Sequence, residues 1–128
     1  MPGGKGPKRR GDAYEVELAH YLNTHVFDGN VVCHRAPLSG GGKSFFAGGE
    51  SDLNGTPKVW IEAKRTERFA PYTALEQARR GLAGRTRSDF PVVMSRRNRI
   101  PTGESLVVMR LDDWIAFYRA YLAQENVP

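Results

Sequence analysis

No apolar run in this chain is longer than a few residues, so none reads as a membrane span. The N-terminus is basic but has no apolar segment behind it, and so does not read as a secretory signal. One cysteine, Cys33, excludes an internal disulfide and is compatible with a cytoplasmic protein. His20, His25 and His34 show no ligand spacing with Cys33, which argues against a zinc site. The segment SGGGKS at 39–44 lacks the G-x-x-x-x-G-K-[ST] spacing and the strand–loop–helix setting of a nucleotide-binding loop. Ser39 lacks the G-x-S-x-G turn of a hydrolase nucleophile. No repeat is visible.

What is present fits one domain: 128 residues, 40% apolar and 26% charged. The net charge of +5 favours a polyanionic partner, the alternative being a basic protein without one. The cations are clustered. MPGGKGPKRRG carries Lys5, Lys8, Arg9 and Arg10 with no acid, and its Gly and Pro content reads as a flexible basic arm over 1–10, ahead of a domain at 11–128. RRGLAGRTR at 79–87 and SRRNR at 95–99 are further clusters. A Gly- and Ser-rich loop at 36–51 holds Lys43, Phe45 and Phe46; the two rings suit either a hydrophobic anchor or stacking on a flat ligand. The arm, Arg35, Lys43, Arg65, Arg96, Arg97 and Arg99 are the expected phosphate contacts.

Hydrophobic periodicity predicts a helix over 12–25, with Tyr14, Leu18, Tyr21 and Leu22 on one stripe and Asp12 as N-cap. NVVCHR at 30–35, ESDLNG and KVWIEAKR read as strands. TALEQARRGLAGR reads as a helix opened by a Thr73–Glu76 capping box. PVVMS and SLVVMRL read as strands around a basic loop. DDWIAFYRAYLAQ reads as a last helix whose stripe of Trp114, Ile115, Tyr118, Tyr121 and Leu122 is expected in the core. The order α-β-β-β-α-β-β-α suggests a mixed sheet with helices packed on it.

The strand VWIEAKR at 59–65 poses the functional question. Alternation puts Trp60, Glu62 and Lys64 on one face, an acid and an amine in a strand that otherwise looks buried. Asp52 stands ten residues before Glu62. A two-residue turn at Asn54-Gly55 is the strongest local signal and would set Asp52 across from Pro57. A three-residue turn at Thr56-Pro57-Lys58 would instead set Leu53 against Ile61 and Asp52 against Glu62. In that second register two carboxylates repel unless a cation sits between them, and hard oxygen ligands suit Mg²⁺ or Mn²⁺. The Ala63 carbonyl lies between them as a further ligand, and Lys64 can orient the attacking water or neutralise a pentavalent phosphate. The simpler reading is a Glu62–Lys64 ion pair on an exposed sheet face. Glu15 lies at the edge of the Leu18/Leu22 stripe, placed either to reach a metal or, like Glu17, to stay in solvent.

The pattern S-D-x9-E-A-K resembles the active-site signature of the PD-(D/E)xK nuclease superfamily. RRGDAYEVELAHYL is similar to the opening helix of the archaeal-type Holliday junction resolvases, and HRAPLSGGG to the segment after their first strand. The resemblance spans most of residues 8–80. It implies a restriction-endonuclease-like α/β fold, a mixed central sheet flanked by helices. It also implies Glu15 as the helix-borne acid, Ser39 as a loop residue of the site, Asp52 and Glu62 as metal ligands and Lys64 as the catalytic lysine. It implies a Mg²⁺- or Mn²⁺-dependent homodimeric endonuclease that resolves four-way DNA junctions in recombination and repair. Ser51 replaces the motif proline, and KSFFAGG lies outside the pattern. Gln77 is similar to a helix glutamine of some relatives, but Gly81 stands where they have Tyr, so no role carries over to it. The alternatives are a nuclease of the same fold acting on nicked, flapped or linear DNA, and a non-catalytic DNA-binding module.

Overall fold

The computed structural model describes residues 5–36, 51–83 and 89–125, with side chains described from residue 13 onward. They form a mixed α/β structure in the order α1 (Lys5–His25), β1 (His34–Arg35), β2 (Leu53–Asn54), β3 (Val59–Arg65), α2 (Pro71–Leu82), β4 (Phe90–Arg96), β5 (Leu106–Val108), α3 (Leu111–Gln124). This is the element order that the periodicity predicts. β3 and β4 are parallel, with α2 as their crossover, and β5 joins β4 antiparallel, giving a mixed three-stranded sheet in the order β3-β4-β5. β1 and β2 form a separate antiparallel pair. Asp52 N donates to Ile61 O at 2.9 Å and ties that pair to β3.

Helices cover both faces of β3, and its alternation divides the core. Ile61 joins Tyr14, Leu18 and Ala19 of α1, together with Cys33 and Leu53. Trp60 points the other way, onto Ala74 and Ala78 of α2 and Val93 of β4. Small residues on α2 let its backbone come close to the sheet, and Trp60 fills the gap at 1% exposure. Burying a side chain of this kind contributes about 2–3 kcal/mol.

Several elements depart from the sequence-based expectation. α1 begins at Lys5, so residues 5–10 continue the helix rather than form a flexible arm, and Asp12 lies inside it. Lys and Arg are good helix formers, and Pro7 falls in the first turn, where its missing N–H costs nothing. α2 begins at Pro71 with Ala70 as N-cap and no side-chain cap. The fixed φ of proline starts the helix two residues before the expected capping box, and Glu76 instead pairs with Arg79 and Arg80 at 3.5 and 3.7 Å. The strand expected over 30–35 shrinks to two residues because Asn23 takes its backbone groups. Asn23 Oδ1 accepts from Val32 N (3.0 Å) and Cys33 N (2.9 Å), and its Nδ2 donates to Cys33 O (2.9 Å).

The largest departure is α3. The stripe expected in the core is turned outward: Trp114 is 46% exposed and Tyr121 59%. The helix docks through Asp113, which is buried, and through Phe117, whose ring meets Phe90.

Candidate active site

The local turn decides where Asp52 falls. Val59 N donates to Thr56 O at 3.3 Å, closing a turn over Thr56–Val59. Pro57 takes its second position, and Lys58, third, has φ 73°, the sign that a type II turn requires. Of the two turns open to the sequence, the structure therefore has the one at 56–58. Gly55 precedes it at φ 84°, packed so closely that a Cβ there would lie 2.2 Å from Val32 O. Leu53 and Ile61 meet in the same buried cluster, as that turn requires. Asp52 is offset by one residue from the expected pairing with Glu62. Its N–H bonds to Ile61 O, and its side chain takes a strand N–H, Oδ2 accepting from Ala63 N at 2.7 Å. The side chain occupies a donor that a strand partner would use, and β2 and β3 form no regular ladder.

Glu62 is 7% exposed. Burial raises its carboxyl from the ordinary 4.5 to about 7, and the neighbouring Asp52 charge adds to the rise. The Lys64 ammonium, 3.6 Å from Glu62 Oε2, opposes it, and the charge of Glu15 on α1 contributes a smaller push upward. Glu15, Asp52, Glu62 and Lys64 are thus electrostatically one group, although they come from α1, the residue before β2, and β3. Glu15 is held by Arg35, whose Nε donates to its Oε1 at 2.9 Å. Lys64 Nζ donates to Gln77 Oε1 on α2 at 2.9 Å, shorter than its approach to Glu62. The strand carries an acid and an amine because the face shared by Trp60, Glu62 and Lys64 runs from the α2 core out to the rim of the sheet.

Sequence reasoning left Gln77 without a role. The signal lay in α2: Ala74, Ala78 and Gly81 form its buried stripe, and Gln77 stands beside that stripe. Ser39 and Lys43 lie outside the described residues, and so do the side chains of Lys8, Arg9 and Arg10.

The basic residues divide into two groups. Arg97 and Arg99 are exposed in the loop after β4. That loop is fastened to the end of β3: Arg65 Nε donates to Asn98 Oδ1 at 3.0 Å, and Asn98 N to Glu67 Oε2 at 2.7 Å. Lys64, Arg65, Arg97 and Arg99 thereby gather at the carboxyl ends of the parallel pair β3–β4, where open α/β sheets place ligands. Arg96 is different. It is 7% exposed, donates to the carbonyls of Arg97 and Ile100 at 3.2 and 2.8 Å, and bonds Glu17 Oε1 at 2.7 Å. Its guanidinium also lies 5.3 Å from the centre of the Tyr14 ring. The expectation that Arg96 meets phosphate is corrected on that ground: it is committed to the fold. Glu17, expected in solvent, is its partner.

Among the described residues, no group of three or more His, Cys, Asp and Glu stands ready to hold a metal ion. The donor chemistry nevertheless suits a hard divalent cation. Burial first, and then repulsion from the Asp52 carboxylate, raises the Glu62 carboxyl to about 7, a strain that a cation between the two acids would relieve. No helix among the described residues is long and apolar enough to cross a membrane. Comparison with protein-family models, curated proteins and solved structures gives no significant match for this chain.

Proposed function

We propose that the chain is a metal-dependent DNA endonuclease with a restriction-endonuclease-like fold, most suited to four-way junctions. The observation that carries this reading is the buried Glu62 beside Asp52, with Lys64 drawn to Gln77 at the rim of the sheet. Asp52, Glu62, the Ala63 carbonyl and, from α1, Glu15 are the groups that would hold Mg²⁺ or Mn²⁺. Bound there, the ion would polarise a phosphodiester and lower the pKa of a water. The chain's own part is positional and electrostatic. Gln77 holds the Lys64 ammonium in place, and Lys64 offsets the charge that develops on the phosphate. Arg35 holds the Glu15 carboxylate through the 2.9 Å bond from its Nε. Arg97 and Arg99 hold the DNA backbone without reading its bases. Paired nicks across a junction require two such sites, so the working unit is a homodimer.

The 3.6 Å Glu62–Lys64 contact also suits a binding-only module, in which the two groups simply neutralise each other. Incubation with a labelled four-way junction and a matched duplex, in Mg²⁺ or EDTA, separates the readings. Metal-dependent cleavage of the junction supports the proposal. Cleavage of duplex, nicked or flapped DNA in preference points to another substrate, and binding without cleavage points to the module.

A further inference from the structure

Helix α3 turns its most apolar face away from the rest of the chain. At roughly 100° per residue, Leu111, Trp114, Ile115, Tyr118 and Tyr121 lie about a third of a turn from the docked side of Asp113 and Phe117. Their exposures run from 39% at Ile115 to 68% at Leu111. Trp114 and Tyr118 stack with ring centroids 4.8 Å apart, so the stripe is a continuous plate. Side chains of this size and exposure leave on the order of 500–600 Å² of mainly apolar surface in water. That is the upper end for a monomer and the larger part of the ~800 Å² that each partner brings to a standard interface.

The charge pattern says what covers it. The stripe holds no Lys or Arg, so it offers a phosphate backbone nothing. Asp112, Asp113 and Glu125 outnumber Arg110 and Arg119 by one within 110–125, although the whole chain carries +5. Two copies of a basic protein can therefore meet here without repulsion, and the helix lacks the basic flank that a membrane-surface helix uses. Asp112 and Arg119 lie on the same flank of the stripe, two turns apart. In an antiparallel crossing with its two-fold axis near Ile115, Asp112 of each copy faces Arg119 of the other, so the flank is complementary to itself.

We propose that α3 is the surface through which two copies of this chain pair, antiparallel, through Trp114, Tyr118 and Tyr121. This rests on α3 alone and not on the carboxylate site. Sedimentation equilibrium across the micromolar range, without DNA or divalent metal, tests it. The expected result is twice the chain mass for the wild type and a folded monomer, by circular dichroism, for Tyr118→Lys with Tyr121→Lys. Asp112→Arg and Arg119→Asp should each weaken pairing about threefold or more, and together restore it; these arms also decide the matter if the lysine variant does not fold. A wild-type monomer throughout the range overturns the proposal, and co-flotation of that monomer with neutral phosphatidylcholine vesicles would assign the face to a membrane instead. A dimer indifferent to all these substitutions also overturns it. Neither result touches the carboxylate site, and loss of cleavage in carboxylate variants leaves this surface standing.

Discussion

At the residue scale, Glu62 is where burial and like charge combine. Its carboxyl titrates near 7 in the folded chain and near the ordinary 4.5 when unfolded, so the folded chain binds the extra proton between those values. Stability therefore falls as pH rises from about 4.5 to about 7 and stays lower above. Glu62→Gln removes that loss. The variant should melt above the wild type at pH 8, by the equivalent of about 1–3 kcal/mol, with the gap closing near pH 4.5. Thermal melts at the two pH values check this, and an equal gap at both would mean that Glu62 is not the titrating group. Mg²⁺ at pH 8 should narrow the gap if it binds there. Asp52→Asn and Glu62→Gln should each abolish cleavage while DNA binding holds or tightens, since losing an acid reduces repulsion of phosphate. Wild-type cleavage rates in either, at saturating Mg²⁺, would refute the site assignment.

At the scale of elements, the 53–61 hairpin aims the acids. Gly55 combines a positive φ of 84° with a backbone neighbour 2.2 Å from any added Cβ. Gly55→Ala should therefore cost about 2–4 kcal/mol, more than the usual penalty of a left-handed alanine, because the clash is with the main chain of Val32 and not with a side chain that can rotate. Chemical denaturation measures it; a loss under ~1 kcal/mol would mean that the strand pair gives way freely. The register itself was legible to within one residue. The burial of Leu53 and Ile61 in one cluster follows from alternation, whereas the offset at Asp52 goes with its carboxylate taking the N–H of Ala63, a choice that alternation does not encode.

At the scale of the molecule, position in the fold separates arginines that look alike in sequence. SRRNR presents Arg96, Arg97 and Arg99 as one cluster. β4 carries Arg96 inward to Glu17, whereas the turn after it leaves Arg97 and Arg99 outside, Arg99 at φ 68°. Arg96→Ala should destabilise the fold by about 2–3 kcal/mol, because it removes the closest partner of Glu17 and the side-chain donor to the Ile100 carbonyl. Arg97→Ala with Arg99→Ala should leave the melting temperature unchanged and lower the salt slope of DNA binding by about 0.9 for each lost contact. The reverse assignment of effects, read by melts and by binding titrations at several salt concentrations, would show that the division between fold and surface is misplaced.

The sequence by itself determined the order of the elements, the three-residue turn as one of two options, and the candidacy of Glu15, Asp52, Glu62 and Lys64. Each of these depends on local spacing: period two in a strand, period 3.6 in a helix, and the φ that a turn demands. Tertiary structure alone decided which face of α3 is buried, since the stripe of Trp114, Ile115, Tyr118 and Tyr121 is as apolar as a core face and only the docking of Asp113 and Phe117 turns it outward. It alone decided that Asn23, ten residues away, would replace a strand partner for Cys33. It alone brought Gln77 to Lys64 across 13 residues of chain, because that contact requires α2 to pack over Trp60 before the two side chains can meet.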